Sequence, residues 1–196
     1  MTNYSKHMYR LLSILSAVIV MTTAAGAQQK QDMNKETSKR KILIAYFSAT
    51  GTTARAAEKI ADVTGGDLYE IIPTQHYTST DLDWNDRQSR SSIEMNDPKS
   101  RPAIKGGKPD ISNYDVIFIG YPIWWDLAPR IINTFIESHE MKDKTLIPFA
   151  TSGGSTIGGS TAALKKEYPA LDWKEGRLLN RSDEKIIRTW IEKAGF

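Results

Sequence analysis

The sequence predicts an α/β protein built on a doubly wound parallel sheet of five strands with helices on both faces. From residue 41 onward, strand-like apolar runs alternate with helix-like amphipathic runs, as expected of repeated βαβ units. Residues 116–119 (VIFI) are apolar at every position, which is typical of a central parallel strand covered on both faces. The two observations together favour an open sheet over a bundle or a β-sandwich.

The elements follow in order along the chain. We expect strands at 42–47, 68–72, 116–120, 145–150 and 173–178, and helices at 54–63, 82–95, 128–138, 161–168 and 182–194. Gly65-Gly66 ends the first helix and Pro73 stops the second strand. Ser182 is the predicted N-cap of the last helix. The predicted buried helix faces comprise Ala56, Ala57, Ile60 and Ala61, and then Ile131, Ile132, Phe135 and Ile136.

The first 27 residues have the pattern of a secretory signal peptide. Lys6 and Arg10 precede an apolar run at 11–21, and Ala25-Gly26-Ala27 supplies the small residues of a cleavage site. The run is about half the ~20 residues that a spanning helix needs, so an uncleaved anchor is the alternative and no permanent membrane span is expected. We therefore predict cleavage after Ala27, export to the periplasm or medium, a flexible polar arm at 28–40, and one domain at 41–196.

Composition excludes several classes of function. The net charge of +3 includes two basic residues of the signal segment, and without that segment 24 basic residues face 23 acidic ones. The chain has no basic block with interleaved aromatic residues, so nucleic-acid binding is not indicated. The absence of cysteine excludes disulfides, thiolate catalysis and cysteine metal sites. His76 and His139 are expected at the surface, and the acidic residues at 81–97 on a solvated helix face rather than in a metal site.

Residues 48–53 (SATGTT) form a hydroxyl-rich turn between the first strand and the first helix. Such a turn presents hydroxyls and backbone N–H groups to an anion, and the helix dipole adds partial positive charge at the same place. Taken alone, the turn is equally consistent with ordinary helix capping. The lysine of a nucleoside-triphosphate P-loop is missing, so that class of site is not indicated.

Two further loops leave the carboxyl ends of strands, where open α/β sheets bind ligands. Residues 121–127 contain Trp124-Trp125, which offer a stacking surface to a flat aromatic ligand. Residues 151–159 (TSGGSTIGG) leave backbone N–H groups free of side-chain obstruction. Phosphate at one end, an aromatic platform at the other and amide donors between them describe a flavin mononucleotide (FMN) site. Of the two indoles, Trp124 is expected to face the ligand and Trp125 to lie in the core.

Three ordered motifs resemble the flavodoxin family, in the branch without a long insertion in the last strand. They are 46–53 (YFSATGTT), 114–125 (YDVIFIGYPIWW) and 148–155 (PFATSGGS), and the resemblance covers essentially 41–196. The resemblance implies strand order 2-1-3-4-5 and FMN at the switch point between the first and third strands. The implied cofactor-binding residues are Ser48, Ala49, Thr50, Gly51, Thr52, Thr53, Pro122, Ile123, Trp124, Trp125, Thr151, Ser152, Gly153, Gly154 and Ser155.

The chain departs from the family pattern in two ways. Asp126 follows the two tryptophans where many relatives have glycine, so the backbone of that loop is expected to differ. The mature chain is nearly neutral, whereas low-potential flavodoxin carriers are usually strongly acidic. Within the long stretch at 74–110, His76, Tyr77 and Trp84 are the residues expected to lie against the flavin.

No residue of the three loops is an evident acid, base or nucleophile, so no catalytic residue is assigned. The leading hypothesis is an exported flavodoxin-like protein that transfers electrons through bound FMN to a partner protein or small molecule. The alternative is an NAD(P)H-dependent reductase acting on quinones or similar acceptors. A second alternative is an exported binding module that uses the same pocket for another ligand. The oligomeric state is not predicted.

Overall fold

The sheet contains β1 (Ile42–Tyr46), β2 (Asp67–Glu70), β3 (Val116–Pro122), β4 (Thr145–Thr151) and β5 (Asp172–Trp173), in the order β2-β1-β3-β4-β5. All its pairings are parallel, with Ile44 opposite Phe118 in the centre. This computed structural model describes residues 40–181 and 183–196. The predicted signal peptide and nearly all of the predicted arm lie outside the described residues. The predicted fold class and strand order are confirmed.

The predicted last strand is divided into two. β5 pairs with the start of β4, and β6 (Arg177–Leu178) pairs with Phe149 and Ala150 near its end. The ladder is interrupted beside Pro148, because proline has no N–H to donate to the next strand. Gly176 passes this point so closely that a Cβ there would lie 3.1 Å from the Pro148 carbonyl oxygen.

Five helices among the described residues cover both faces of the sheet. They are α1 (Thr52–Thr64), α2 (Arg90–Asn96), α3 (Arg130–Glu137), α4 (Ile157–Glu167) and α5 (Glu184–Lys193). One core cluster joins α3 and α4 to residues such as Ile117 and Ile119, and the other joins α1 and α5 to Phe118 and Phe149. The predicted buried faces of α1 and α3 are confirmed, with Ala61 only partly buried.

The predicted helix at 82–95 is wrong over most of its length. Residues 78–89 form successive turns, and only α2 is helical. Aspartates cause this, because their carboxylates accept backbone hydrogen bonds locally: Asn85 N–H donates to Asp83 (2.9 Å) and Gln88 N–H to Asp86 (2.8 Å). Ser89 then caps α2 by accepting from Ser92 N–H at 3.3 Å.

The starts of the other four helices also differ from the sequence prediction, those of α1, α3 and α5 by two residues each. α4 begins at Ile157, four residues earlier than expected, and so includes Gly158 and Gly159. Asp183 caps α5, and its carboxylate accepts from Ile186 N–H at 2.9 Å; the predicted cap, Ser182, lies outside the described residues. In the part of the chain that the structure describes, no helix has both the length and the apolar character needed to cross a membrane.

Candidate functional site

The three predicted loops meet at the carboxyl edge of the sheet and line an open cavity of about 720 Å³, here called the central cavity. A second cavity of about 440 Å³, the tryptophan cavity, adjoins it. Thr50, Pro122, Ile123 and Trp124 line both. Of the predicted site residues, the central cavity is also lined by Thr52, Thr151, Ser152 and Gly153, and the tryptophan cavity by Ala49 and Trp125.

The first loop is held in place by its own hydroxyls. Gly51 precedes α1 with φ 82°, in the left-handed region that only glycine adopts readily. Ser48 Oγ accepts from Ala54 N–H at 3.2 Å, and the buried Thr53 hydroxyl lies 2.8 Å from that of Thr151. Ser48, Gly51 and Thr53 therefore shape the loop and join it to the third one. Thr50 and Thr52 are the hydroxyl residues of this loop at the cavity wall, beside the helix N-terminus.

The second loop ends in a tight turn. Trp124 and Leu127 exchange backbone hydrogen bonds of 3.0 and 2.9 Å, and the central residues Trp125 and Asp126 have φ of 47° and 59°. Positive φ at both central positions is the pattern of a type I′ turn, which normally requires asparagine, aspartate or glycine. The turn also contacts the start of α4, where a Cβ on Gly159 would lie 3.2 Å from the Asp126 carbonyl oxygen.

The two tryptophans have different environments, and only that of Trp125 departs from the expectation. Trp125 is 46% exposed, so the prediction that it lies in the core is wrong; the turn directs it outward. Trp124 is partly buried and makes edge contacts with Phe47 (centroids 5.6 Å apart, 90°) and Tyr77 (5.2 Å, 78°). Trp124 is therefore the indole that lies in the walls of both cavities with a fixed orientation.

Some backbone N–H groups of the third loop, which were expected to be free for a ligand, form hydrogen bonds within the protein. Ser152 Oγ accepts from Gly154 N–H (3.2 Å) and Ser155 N–H (2.8 Å). Ser152 N–H donates to Asn180 Oδ1 at 2.8 Å, and Asn180 Nδ2 donates back to the Ser152 carbonyl at 2.6 Å. The expectation of unobstructed N–H groups is wrong for these three residues, because the loop forms its own turn.

Sequence reasoning missed several residues of the site. Asn180 and Arg181 line the central cavity, and Leu82 and Ser91 line the tryptophan cavity. The signal for Asn180 was its place just beyond the last strand, at the ligand-binding edge. Arg55 Nη2 donates to Thr52 Oγ1 at 3.2 Å, which brings a cation to the first loop.

The long segment at 74–110 contributes to the tryptophan cavity and packs against Trp124. Tyr77 contacts Trp124 and Phe47, and Trp84 lines the tryptophan cavity, whereas His76 is exposed. The Tyr77 hydroxyl donates to Glu94, and Arg90 both lies over the Tyr77 ring (4.1 Å) and donates to Glu94 at 2.6 Å. Burial and the bond to Glu94 raise the pKa of Tyr77 far above its ordinary value, so it remains neutral.

Tyr121, at the end of β3, and His139 both have structural roles. Tyr121 is fully buried, its hydroxyl lies 3.2 Å from Ser160 Oγ, and burial raises its pKa to about 12. His139 is half-buried rather than at the surface, with Nδ1 2.8 Å from the Phe135 carbonyl oxygen. Among the described residues, no group of three His, Asp or Glu side chains is placed to hold a metal ion.

Comparisons with known proteins agree with this architecture. The flavodoxin family matches residues 41–194. A candidate flavoprotein from Bacteroides eggerthii is 70% identical, with a TM-score of 0.78, and the match covers 80% of this chain and 98% of that one. A second, from Bacteroides uniformis, is 54% identical, with a TM-score of 0.76, and the match covers 78% of this chain and 98% of that one. A flavoprotein from Lactobacillus acidophilus, solved in complex with FMN, is 25% identical, with TM-score 0.60 and coverage of 78% and 99%. No curated protein matched. The chain belongs to the flavodoxin family.

Proposed function

We propose that this protein binds FMN in the central cavity and transfers electrons through it. The observation that carries the proposal is the meeting of three dissimilar loops around one cavity of about 720 Å³, within the range of cofactor sites. The flavoprotein of Lactobacillus acidophilus, solved with FMN, supports the choice of ligand. When bound, FMN supplies a ring that accepts and releases electrons.

The residues at one end of the central cavity suit a phosphate monoester. Thr50 and Thr52 place hydroxyl donors beside the N-terminus of α1, whose first N–H groups have no partner within the helix. Arg55 lies against Thr52, and Arg181 lines the cavity itself, so positive charge is available there. These groups hold the ligand and take no part in its chemistry.

The other walls suit a planar ring. Trp124 is fixed by Phe47 and Tyr77 and offers a stacking surface, which contributes about 0.5–1.5 kcal/mol beyond the apolar area buried. The third loop brings Ser152 and Gly153 to the same cavity. The residues present therefore fit FMN at both its ends.

Titration of the apoprotein with FMN and with riboflavin tests this assignment. Thr52→Val is expected to weaken FMN binding by about 10- to 100-fold, because a hydrogen bond to a charged group is lost, while leaving riboflavin affinity nearly unchanged. Thr134→Val, on α3 and outside both cavities, is the matched control. Equal losses for the two flavins would refute a phosphate-specific role, and failure of the wild-type protein to bind FMN at micromolar concentration would refute the function.

A reductase that takes hydride from NADH or NADPH is the second candidate. The near-neutral charge of residues 28–196 favours it, because protein electron carriers tend to dock through charged faces. Anaerobic addition of NADH or NADPH to the FMN-loaded protein separates the two candidates. Rapid bleaching of the flavin absorbance selects the reductase, and bleaching only by dithionite selects the carrier.

Export is part of the proposal. The signal-like pattern at 1–27 supports synthesis as a precursor and function outside the cytoplasm. FMN must then be supplied outside the cytoplasm, because the signal segment has no Arg-Arg pair of the kind that directs export of folded proteins.

A further inference from the structure

The tryptophan cavity has features that the binding of FMN in the central cavity leaves unexplained. It lies between the segment at 82–91 and the Trp124–Trp125 turn, and it shares the Trp124 wall with the central cavity. Trp84 is 72% exposed and Trp125 is 46% exposed at its rim. Two large aromatic side chains exposed around one cavity mark a binding surface, since such groups are otherwise buried.

The lining of the tryptophan cavity is uncharged. Nine of the described residues form its walls, and they are all apolar side chains or hydroxyl-bearing ones. A carboxylate or phosphate ligand would lose its hydration there without gaining a cationic partner, which costs several kcal/mol. The walls therefore select against charged ligands, in contrast to the central cavity with Arg181.

One polar group in this lining has hydrogen-bonding capacity to spare. Ser91 is 2% exposed, and its hydroxyl has only a 3.5 Å contact with that of Ser89, near the limit for a hydrogen bond. Ser89 Oγ is already the donor to Ser92 Oγ at 2.9 Å, and Ser92 Oγ donates to the Asp86 carbonyl at 2.7 Å. The Ser91 hydrogen is thus free to turn toward a carbonyl oxygen in the cavity.

The backbone keeps the aromatic wall in place at a cost. Trp125 and Asp126 both have positive φ, an arrangement that costs energy for residues other than glycine. Backbone strain of this kind persists where the surrounding structure requires it, and it is common beside ligands. Its effect here is to hold Trp125 at the wall of the cavity that Trp84 also lines.

We propose that the tryptophan cavity binds a neutral, planar aromatic compound bearing a ring carbonyl, the chemical class of the quinones. The indoles of Trp84 and Trp125 provide the aromatic walls, and Ser91 donates to the carbonyl. The proposal rests on the proposed function to the extent that such a compound, bound beside Trp124, is the small molecule that exchanges electrons with the cofactor.

Equilibrium dialysis of 1,4-naphthoquinone against the oxidised, FMN-loaded protein tests the binding step without electron flow. The chain has no cysteine, so thiol adducts of the quinone cannot interfere. Trp84→Ala is expected to weaken binding about tenfold, and Ile93→Ala, an exposed apolar residue of α2 outside the cavity, is expected to leave it unchanged. Ser91→Ala is expected to weaken naphthoquinone binding about fivefold and naphthalene binding hardly at all.

Each opposite result overturns the proposal. Equal affinity of wild type and Trp84→Ala for naphthoquinone would exclude the tryptophan cavity as its binding site. Displacement of naphthoquinone by FMN would show that this cavity is part of the cofactor site. Tighter binding of 1,4-naphthoquinone-2-sulfonate than of the neutral quinone would refute the charge argument. FMN affinity is measured in the same samples: a protein that binds FMN but no naphthoquinone refutes this inference alone, whereas one that binds no FMN refutes the proposed function.

Discussion

Asp126 has a backbone conformation that aspartate tolerates but that glycine adopts more readily. Its φ of 59° places it in the left-handed region, next to Trp125 at 47°. For residues other than glycine this region costs roughly 1–2 kcal/mol, less for aspartate, which can bond locally. Asp126 shows no stabilising side-chain contact that explains the conformation; the turn is fixed instead by the two backbone bonds between Trp124 and Leu127.

Replacing Asp126 by glycine and by alanine separates backbone strain from loss of the carboxylate. Both variants lack the carboxylate, but only glycine relieves the strain, so Asp126→Gly is expected to unfold with a free energy about 1 kcal/mol higher than Asp126→Ala. Urea denaturation measures the difference. The same pair at Asp62, exposed in α1, serves as the control, and there alanine should be the more stable by about 1 kcal/mol. The same order at both positions would contradict the left-handed assignment.

At the scale of single residues, the sequence could locate the site but not complete it. Thr50, Thr52 and Trp124 were predictable because each follows a strand whose apolar run is visible locally. Asn180 and Arg181 lie just beyond the last predicted strand, but their place in the cavity wall depends on the pairing between β4 and β6, which no local pattern specifies. The exposure of Trp125 depends on the hand of a turn that lacks glycine, and composition does not encode that hand.

The segment at 74–110 shows where prediction by element failed and what stabilises the result. Its turns follow from local aspartate bonds, but its position follows from distant partners. Arg101 forms two hydrogen bonds with Glu137 at 2.7 and 2.8 Å and one with Glu167 at 3.0 Å, which ties the segment to α3 and α4. Arg130 Nη2 donates to the Met95 carbonyl at 3.2 Å. These contacts hold in place the segment that contributes Trp84 and Ser91 to the tryptophan cavity.

The Arg101–Glu137 pair predicts a pH-dependent contribution to stability. The hydrogen bond from Arg101 lowers the pKa of Glu137 below its ordinary value of 4.5, so the contribution is complete above that pH and is lost as the pH falls through the lower, folded value. Arg101→Gln is expected to reduce the free energy of unfolding by about 1 kcal/mol at pH 7, a modest figure because both side chains are partly exposed.

Urea denaturation of wild type and Arg101→Gln across the acid range measures this contribution. The difference between the two proteins should shrink toward zero below pH 4.5, as Glu137 becomes protonated. Arg188→Gln, which removes a bond to Glu184 within α5, is the control and should cost less, about 0.3–0.5 kcal/mol. A difference between wild type and Arg101→Gln that stays constant with pH would show that the ion pair does not carry the effect.

For the whole molecule, the fold class followed from the alternation of strand-like and helix-like runs alone, because the hydrophobic periodicity of each strand and helix is visible in its own sequence. The order of the strands did not, since β1 lies between β2 and β3 through crossovers that no local pattern specifies. Resemblance supplied that order. The same limit applies to α1 and α5, which share one core cluster although more than a hundred residues separate them in the chain.

Cleavage of the predicted signal peptide from the whole chain can be tested directly. Ala25 and Ala27 provide the small residues at the two positions that signal peptidase reads, so the exported protein is expected to begin at Gln28. Ala27→Lys places a charge at the cleavage position and should leave the full-length precursor attached to the membrane. Gln31→Lys adds the same charge beyond the site and should be processed normally. N-terminal sequencing and intact mass of the protein recovered from a bacterial host decide the matter: an intact start at Met1 in the wild type would favour the retained anchor, because the apolar run at 11–21 would then remain on the mature chain.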